Sequence, residues 1–188
     1  ILNLFSKLGL VKKDDELIAR VVERLKKKGE EFSQPGNSAY SIAAEVNGKL
    51  PLIYTAAGVT DSVGTRLKGQ FNENGKTHAF HNVFPEMNHN EIIGWETYGA
   101  INESYFVFEV LDDTIHPQIR KRFEVFNEIL GKLKVPVVMI QSNLPTYQER
   151  LFDMIYYGDW ITYYRAIVWG KDPVEIDYIH LLKERLKQ

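Results

Sequence analysis

The chain has 188 residues, with 23 basic against 25 acidic side chains and a composition that is 44% hydrophobic and 12% aromatic. That describes one substantial globular domain with a real core, and the near-neutral balance excludes a field suited to nucleic acid or a membrane surface. No cysteine is present, which excludes disulfides and thiolate chemistry, and no apolar run approaches the roughly 18 residues of a membrane span.

The sequence opens Ile1-Leu2-Asn3, with neither an initiator Met nor a signal-peptide layout. The expectation is a segment of a longer protein from a reducing, cytoplasmic setting. "ILNLFSKLGLV" is apolar and turns at Gly9. "DDELIARVVERLKKKGEEF" reads as a helix, with acidic residues 14–16 at its start, Lys26–Lys28 at its end and Gly29 as its stop. Leu17, Ile18, Val21, Val22 and Leu25 would form its apolar face. "SQPGNS" (33–38) is the best linker candidate. A short helical pattern then ends at Gly48, and "LPLIYTA" (50–56) reads as a strand feeding a loop and a helix. Further strands are expected at "YFVFEVL" (105–111) and "VPVVMIQ" (135–141). Between them, Ile119, Phe123, Phe126, Leu130 and Leu133 recur at spacings of four and three, which predicts an amphipathic helix. Strands alternating with helices of that length predict an α/β fold with a mainly parallel sheet. From Tyr147 onward the pattern is helical, and 151–169 is apolar on nearly every side, as in a core helix or a subunit interface.

Several residues could carry chemistry. In "FPEMNHNEIIGWE" (84–96), Asn88 and Glu91 have the spacing of a capping box, which accounts for the carboxylate without catalysis. The other reading makes Glu91 a base at the start of a helix. His89 and Asn90 are then candidate substrate contacts, since capping requires neither. Thr55, Thr60 and Ser62 stand at and just after the end of a strand, where they could donate to an anion or form an ordinary strand-to-helix turn. Arg66 and Lys76 add positive charge near Glu73. His116 precedes Pro117 at a strand-to-helix junction, the end of an α/β sheet where ligands bind, although a cap is the ordinary role there. His78, His81 and His89 lack the spacing of a metal site, and no metal or other cofactor is expected. In the last helix Ile176, Ile179, Leu182 and Leu186 suggest a buried stripe that includes Lys183, which either snorkels to water or meets a bound anion.

"RLKGQFNENGK", "FPEMNHNEIIGWE", "LDDTIHPQIRKR" and "GDWITYYRAIVWGKDPVEIDYIHLLKERL" stand in an order that resembles the archaeal and bacterial bifunctional phosphoglucose/phosphomannose isomerases. The resemblance runs from about residue 40 to the C-terminus. It implies a sugar isomerase (SIS) lobe, a flavodoxin-like three-layer αβα sandwich with added C-terminal helices. Residues 33–188 would be the second lobe, and 1–32 the helical tail of a preceding lobe or a linker. The implied substrates are glucose 6-phosphate, mannose 6-phosphate and fructose 6-phosphate, with no metal, in a homodimer. Glu91 would move the proton between C1 and C2 through a cis-enediol, His116 would assist ring opening across the dimer interface, and Lys183 would contact the ring-oxygen region. The family's phosphate grip and catalytic arginine belong to the first lobe, upstream of Ile1, so this segment alone is expected to be inactive. A non-catalytic SIS module that binds sugar phosphates for regulation is the alternative.

Overall fold

The computed structural model describes residues 2–187. The helices are α1 (Leu2–Lys7), α2 (Asp15–Phe32), α3 (Ser38–Glu45), α4 (Asp61–Glu73), α5 (Glu91–Gly94), α6 (Gly99–Asn102), α7 (Pro117–Leu133), α8 (Tyr147–Val168) and α9 (Asp177–Arg185). Four strands, β1 (Leu50–Ala56), β2 (Phe80–Phe84), β3 (Tyr105–Val110) and β4 (Val137–Ile140), pair in the order β2-β1-β3-β4, and every pairing is parallel. Parallel neighbours cannot be joined by hairpins, so the intervening segments cross over and cover the sheet.

Side chains alternate across the sheet with the two-residue period of a strand. Ile53, Phe106 and Phe108 point into one apolar layer with Phe32, Leu67, Phe71, Met154 and Ile161. Tyr54 and Val107 point into the other, with Phe84, Trp95, Phe123, Phe126 and Leu130. The result is the expected three-layer αβα sandwich, with α3, α4 and α8 on one face and α7 on the other. The 4-3 spacing of α7 directs Phe123, Phe126 and Leu130 into that second layer. Each buried Phe contributes roughly 1.5–3 kcal/mol of apolar burial.

Four local readings change. First, α2 runs through Gly29 to Phe32, which is buried and stacks on Tyr157 at 5.2 Å. A side chain at Gly29 would meet the Tyr156 hydroxyl, so this glycine serves close packing and does not stop the helix. Ile18 and Val22, two of the five residues of its expected apolar face, are exposed, and α2 is fixed on α8 by Arg20–Glu149 (2.9 Å) and Arg24–Asp153 (2.8 Å). Second, residues 33–38 form an ordered turn. Asn37 donates to the carbonyls of Phe32 and Gln34 and accepts from the Tyr40 N–H, capping α3. Third, β2 is a strand that the pattern did not suggest. Fourth, the stripe on α9 is not buried: Ile179, Leu182 and Leu186 are exposed by 40%, 58% and 76%. Lys76 meets the approach to α9, its ammonium donating to the carbonyls of Glu73, Pro173 and Glu175.

Candidate functional site

Beyond β2 the chain passes a cis Phe84–Pro85 peptide and one 3-10 turn (Glu86–Asn88) before α5 begins at Glu91. The capping-box expectation fails here. The N-cap is Asn90, which makes no side-chain cap, while Asn88 lies inside the 3-10 turn and accepts from Arg122 on α7 at 3.2 Å. The intervening turn points Glu91 elsewhere. Its Oε1 accepts from the Tyr54 hydroxyl at 2.6 Å, and its Oε2 accepts from the Asn82 amide.

The sheet explains this meeting. Tyr54 on β1 and Asn82 on β2 are register partners, so they lie side by side on one face near the carboxyl edge. Tyr54 is fully buried, its ring set edge-on to Phe126 (5.0 Å) and Phe84 (6.2 Å). Burial and next the bond to Glu91 push its phenol well above the ordinary tyrosine range, so it remains a donor. Glu91 itself is half-buried, and among the described residues no cation pairs with it.

The next residue in register on β3 is Glu109, fully buried, with Asn127 donating to Oε2 at 2.8 Å and Oε1 unpartnered. Burial raises this carboxyl to about 7, against which the Asn127 bond acts. Beyond β3 lies a different arrangement. Asp112 is fully buried and takes two bonds from Arg150 (2.7 and 3.1 Å) and two from Thr114. Burial alone would raise its carboxyl, but the Arg150 and Thr114 bonds outweigh it and hold the group down at about 2. Arg150 also donates to the carbonyls of Leu144 and Pro145, tying the loop after β4 to the loop after β3.

Other sequence candidates are dispersed. Thr55 and Thr60 are fully buried and their hydroxyls serve the scaffold. Thr55 meets His81 Nε2 at 2.7 Å, and Thr60 accepts from the Ala56 N–H while donating to the Val110 carbonyl. Both hydroxyls thus have partners within the fold. Ser62 is exposed at the start of α4, and Arg66 pairs with Asp159 at 2.9 Å. His89 and Asn90 are exposed beside Glu91. His116 is the N-cap of α7, its Nδ1 accepting from the Gln118 N–H at 3.1 Å. That bond assigns the neutral ring's proton to Nε2, which is the nitrogen left to meet a ligand. Lys183 is exposed on α9, and no hydrogen bond or ion pair among the described residues joins it to Glu91 or His116. The three histidines considered for metal are separated in role, His81 being turned toward Thr55 and Thr65. Burial lowers its imidazole, which nearby Asp61 partly offsets. Among the described residues no cluster of three or more such ligands occurs.

A cleft of about 360 Å³ opens at the end of β4, lined by Arg24, Ser38, Gln141, Ser142, Asn143 and Asp153 among others. Its charges are matched within the fold, Arg24 with Asp153 and Lys28 with Glu31. Glu91 lies outside it and is the stronger chemical candidate, because its carboxylate is held without being neutralised. The partners Tyr54 and Asn82 were not evident from the sequence. The one available signal was alternation on β1, which puts Tyr54 on the face opposite Ile53.

Solved structures share this architecture. A hypothetical protein from Thermus thermophilus superposes with a TM-score of 0.69 at 11% identity, covering 89% of this chain and 49% of that one. Tagatose-6-phosphate ketose/aldose isomerase from Escherichia coli superposes with a TM-score of 0.55 at 13% identity, covering 82% and 44%. These likenesses define the class of fold, a parallel-sheet α/β sandwich. Residues 36–186 match the bacterial phospho-glucose isomerase C-terminal SIS domain, and the chain belongs to that family. It is 32% identical to the bifunctional phosphoglucose/phosphomannose isomerase of Caldicellulosiruptor bescii over 100% of this chain and 57% of the relative. The enzyme of the same name from Aquifex aeolicus is 30% identical over 96% and 55%. The chain thus spans a little over half the length of these relatives.

Proposed function

We propose that this chain contributes the second lobe of a sugar-phosphate isomerase that interconverts glucose 6-phosphate, and mannose 6-phosphate, with fructose 6-phosphate. The observation that carries the reading is Glu91, a half-buried carboxylate held through both oxygens by Tyr54 and Asn82 with no cation on it among the described residues. The family membership and the relatives' names support the substrate class.

In the open-chain aldose, Glu91 takes the proton from C2. The C2–H electron pair forms the C1–C2 double bond, and the carbonyl electrons move to O1, which gains a proton. The cis-enediol then receives the Glu91 proton at C1 as O2 loses its own proton and becomes the ketose carbonyl. A single base on one face serves both half-reactions. His116, through Nε2, assists ring opening at a site completed across a homodimer interface, and Lys183 steadies developing negative charge near the ring oxygen. Ser62, Arg66, His89 and Asn90 are the surface side chains assigned to substrate. The phosphate grip comes from a preceding lobe, to which residues 1–32 connect. Without that grip the 188 residues have no appreciable activity, because phosphate binding energy supports the transfer at carbon. The setting is cytoplasmic.

The test is a coupled isomerase assay on the longest natural polypeptide containing this chain. Glu91→Gln is expected to lower kcat about 10²–10⁴-fold, and wild-type turnover in that variant overturns the assignment. Measurable turnover from the 188-residue chain alone overturns the requirement for a preceding lobe.

A further inference from the structure

Resting on the reading of Glu91 as the base, we infer that Tyr54 and Asn82 are positioning residues that fix the Glu91 carboxylate for proton transfer, with Tyr54 the principal one. Glu91 needs such help. It starts a helix of only four residues, its backbone follows a 3-10 turn, and no side chain caps that helix. A glutamate in such a place loses about 1.5–2 kcal/mol of rotamer freedom when it is ordered. Here the ordering comes from the sheet. Tyr54 Oη is 2.6 Å from Oε1, the separation of a charge-assisted O–H···O bond. Asn82, in register beside Tyr54, takes Oε2. Each carboxylate oxygen accepts one bond and retains a lone pair for a substrate proton.

Both donors are neutral, so the carboxylate keeps its charge. A guanidinium in the same place would cancel it, as Arg150 does for Asp112. The tyrosine ring is immobile because Phe84 and Phe126 pack edge-on against it, and its buried phenol keeps its proton and cannot compete as a base. The neighbouring elements carry, among other groups, Tyr105 and Glu109 on β3, Glu86 and His89 on the same segment as Glu91, and Arg122 on α7. Of these, Arg122 is directed to Asn88 and Glu109 to Asn127.

Two measurements test the clamp. In proton NMR of this chain, the Tyr54 hydroxyl is expected as a slowly exchanging downfield resonance. It should be absent from Tyr54→Phe and moved upfield in Glu91→Gln. In the isomerase assay on the longer polypeptide, Tyr54→Phe should lower kcat about 10- to 100-fold, the size expected for a lost bond to a charged group. KM should change less than about threefold. Asn82→Ala should likewise lower kcat with little change in KM. A hydroxyl resonance indifferent to Glu91→Gln overturns the clamp, even if Tyr54→Phe cannot be folded. So does an active parent whose folded Tyr54→Phe variant keeps its kcat. An inactive parent with an intact hydroxyl response overturns the isomerase reading and the catalytic purpose given to Tyr54.

Discussion

Asp112 and Glu91 are carboxylates just beyond the carboxyl ends of two strands that flank β1, and their surroundings treat them in opposite ways. Asp112 is buried with Arg150 and Thr114 on its oxygens, and its charge is consumed in fastening two loops. Glu91 is half-buried, held by a phenol and an amide, and its charge is left unmatched. The same side-chain chemistry serves as a rivet at one position and, in the proposed function, as a base at the other. What separates them is whether the donor is a cation and whether water can reach the group.

The comparison breaks most visibly at the rivet. Arg150→Ala leaves Asp112 buried without its cation and should cost about 3–5 kcal/mol in chemical denaturation. The Asp112 carboxyl is depressed in the folded state, so its contribution is present above the ordinary carboxylate range near pH 4. It is lost as pH falls through about 2, and acid unfolding of the wild type should steepen in that window. Glu109 gives the opposite sign. Its carboxyl is raised to about 7, so stability should fall as pH rises from about 4 to about 7. Glu109→Gln should therefore be more stable than wild type by about 2–3 kcal/mol at pH 8 and nearly equal to it at pH 4. Tyr54→Phe, which keeps the ring and removes one bond to a charged group, should cost about 1.5–3 kcal/mol. Arg66→Ala removes a half-exposed ion pair with Asp159 and should change stability by less than about 1 kcal/mol. Leu182→Glu on the exposed face of α9 should fall within about 0.5 kcal/mol of wild type.

The layers of this fold were legible wherever burial imposes a period. β1, β3 and α7 follow from alternation and from 4-3 spacing, because their apolar residues have a core to meet. β2 was not legible: it is an edge strand whose Phe80 is 57% exposed and whose His81 and Asn82 are polar. Neither alternation nor an apolar run marks such a strand. On α9 the periodic stripe was present but Ile179, Leu182 and Leu186 are left exposed among the described residues, so periodicity overstated burial. Glu91 stood out by its polar neighbours, yet its partners lie 37 and 9 residues away and are chosen by strand register. Local spacing pointed instead to a cap, which the 3-10 turn prevents.

The sheet order gives the two donors on Glu91 different lifetimes. Tyr54 belongs to β1, which is bonded on both sides, by β2 and by β3. Amides of such a strand exchange with solvent only through openings close to global unfolding. Asn82 belongs to β2, an edge strand that can open locally at lower free energy. In hydrogen-exchange terms, one oxygen of the carboxylate is anchored to the slowest-opening part of the sheet and the other to one of its fastest. Brief loss of β2 would leave Glu91 tethered through Tyr54 alone, a one-point hold about which the carboxylate can turn.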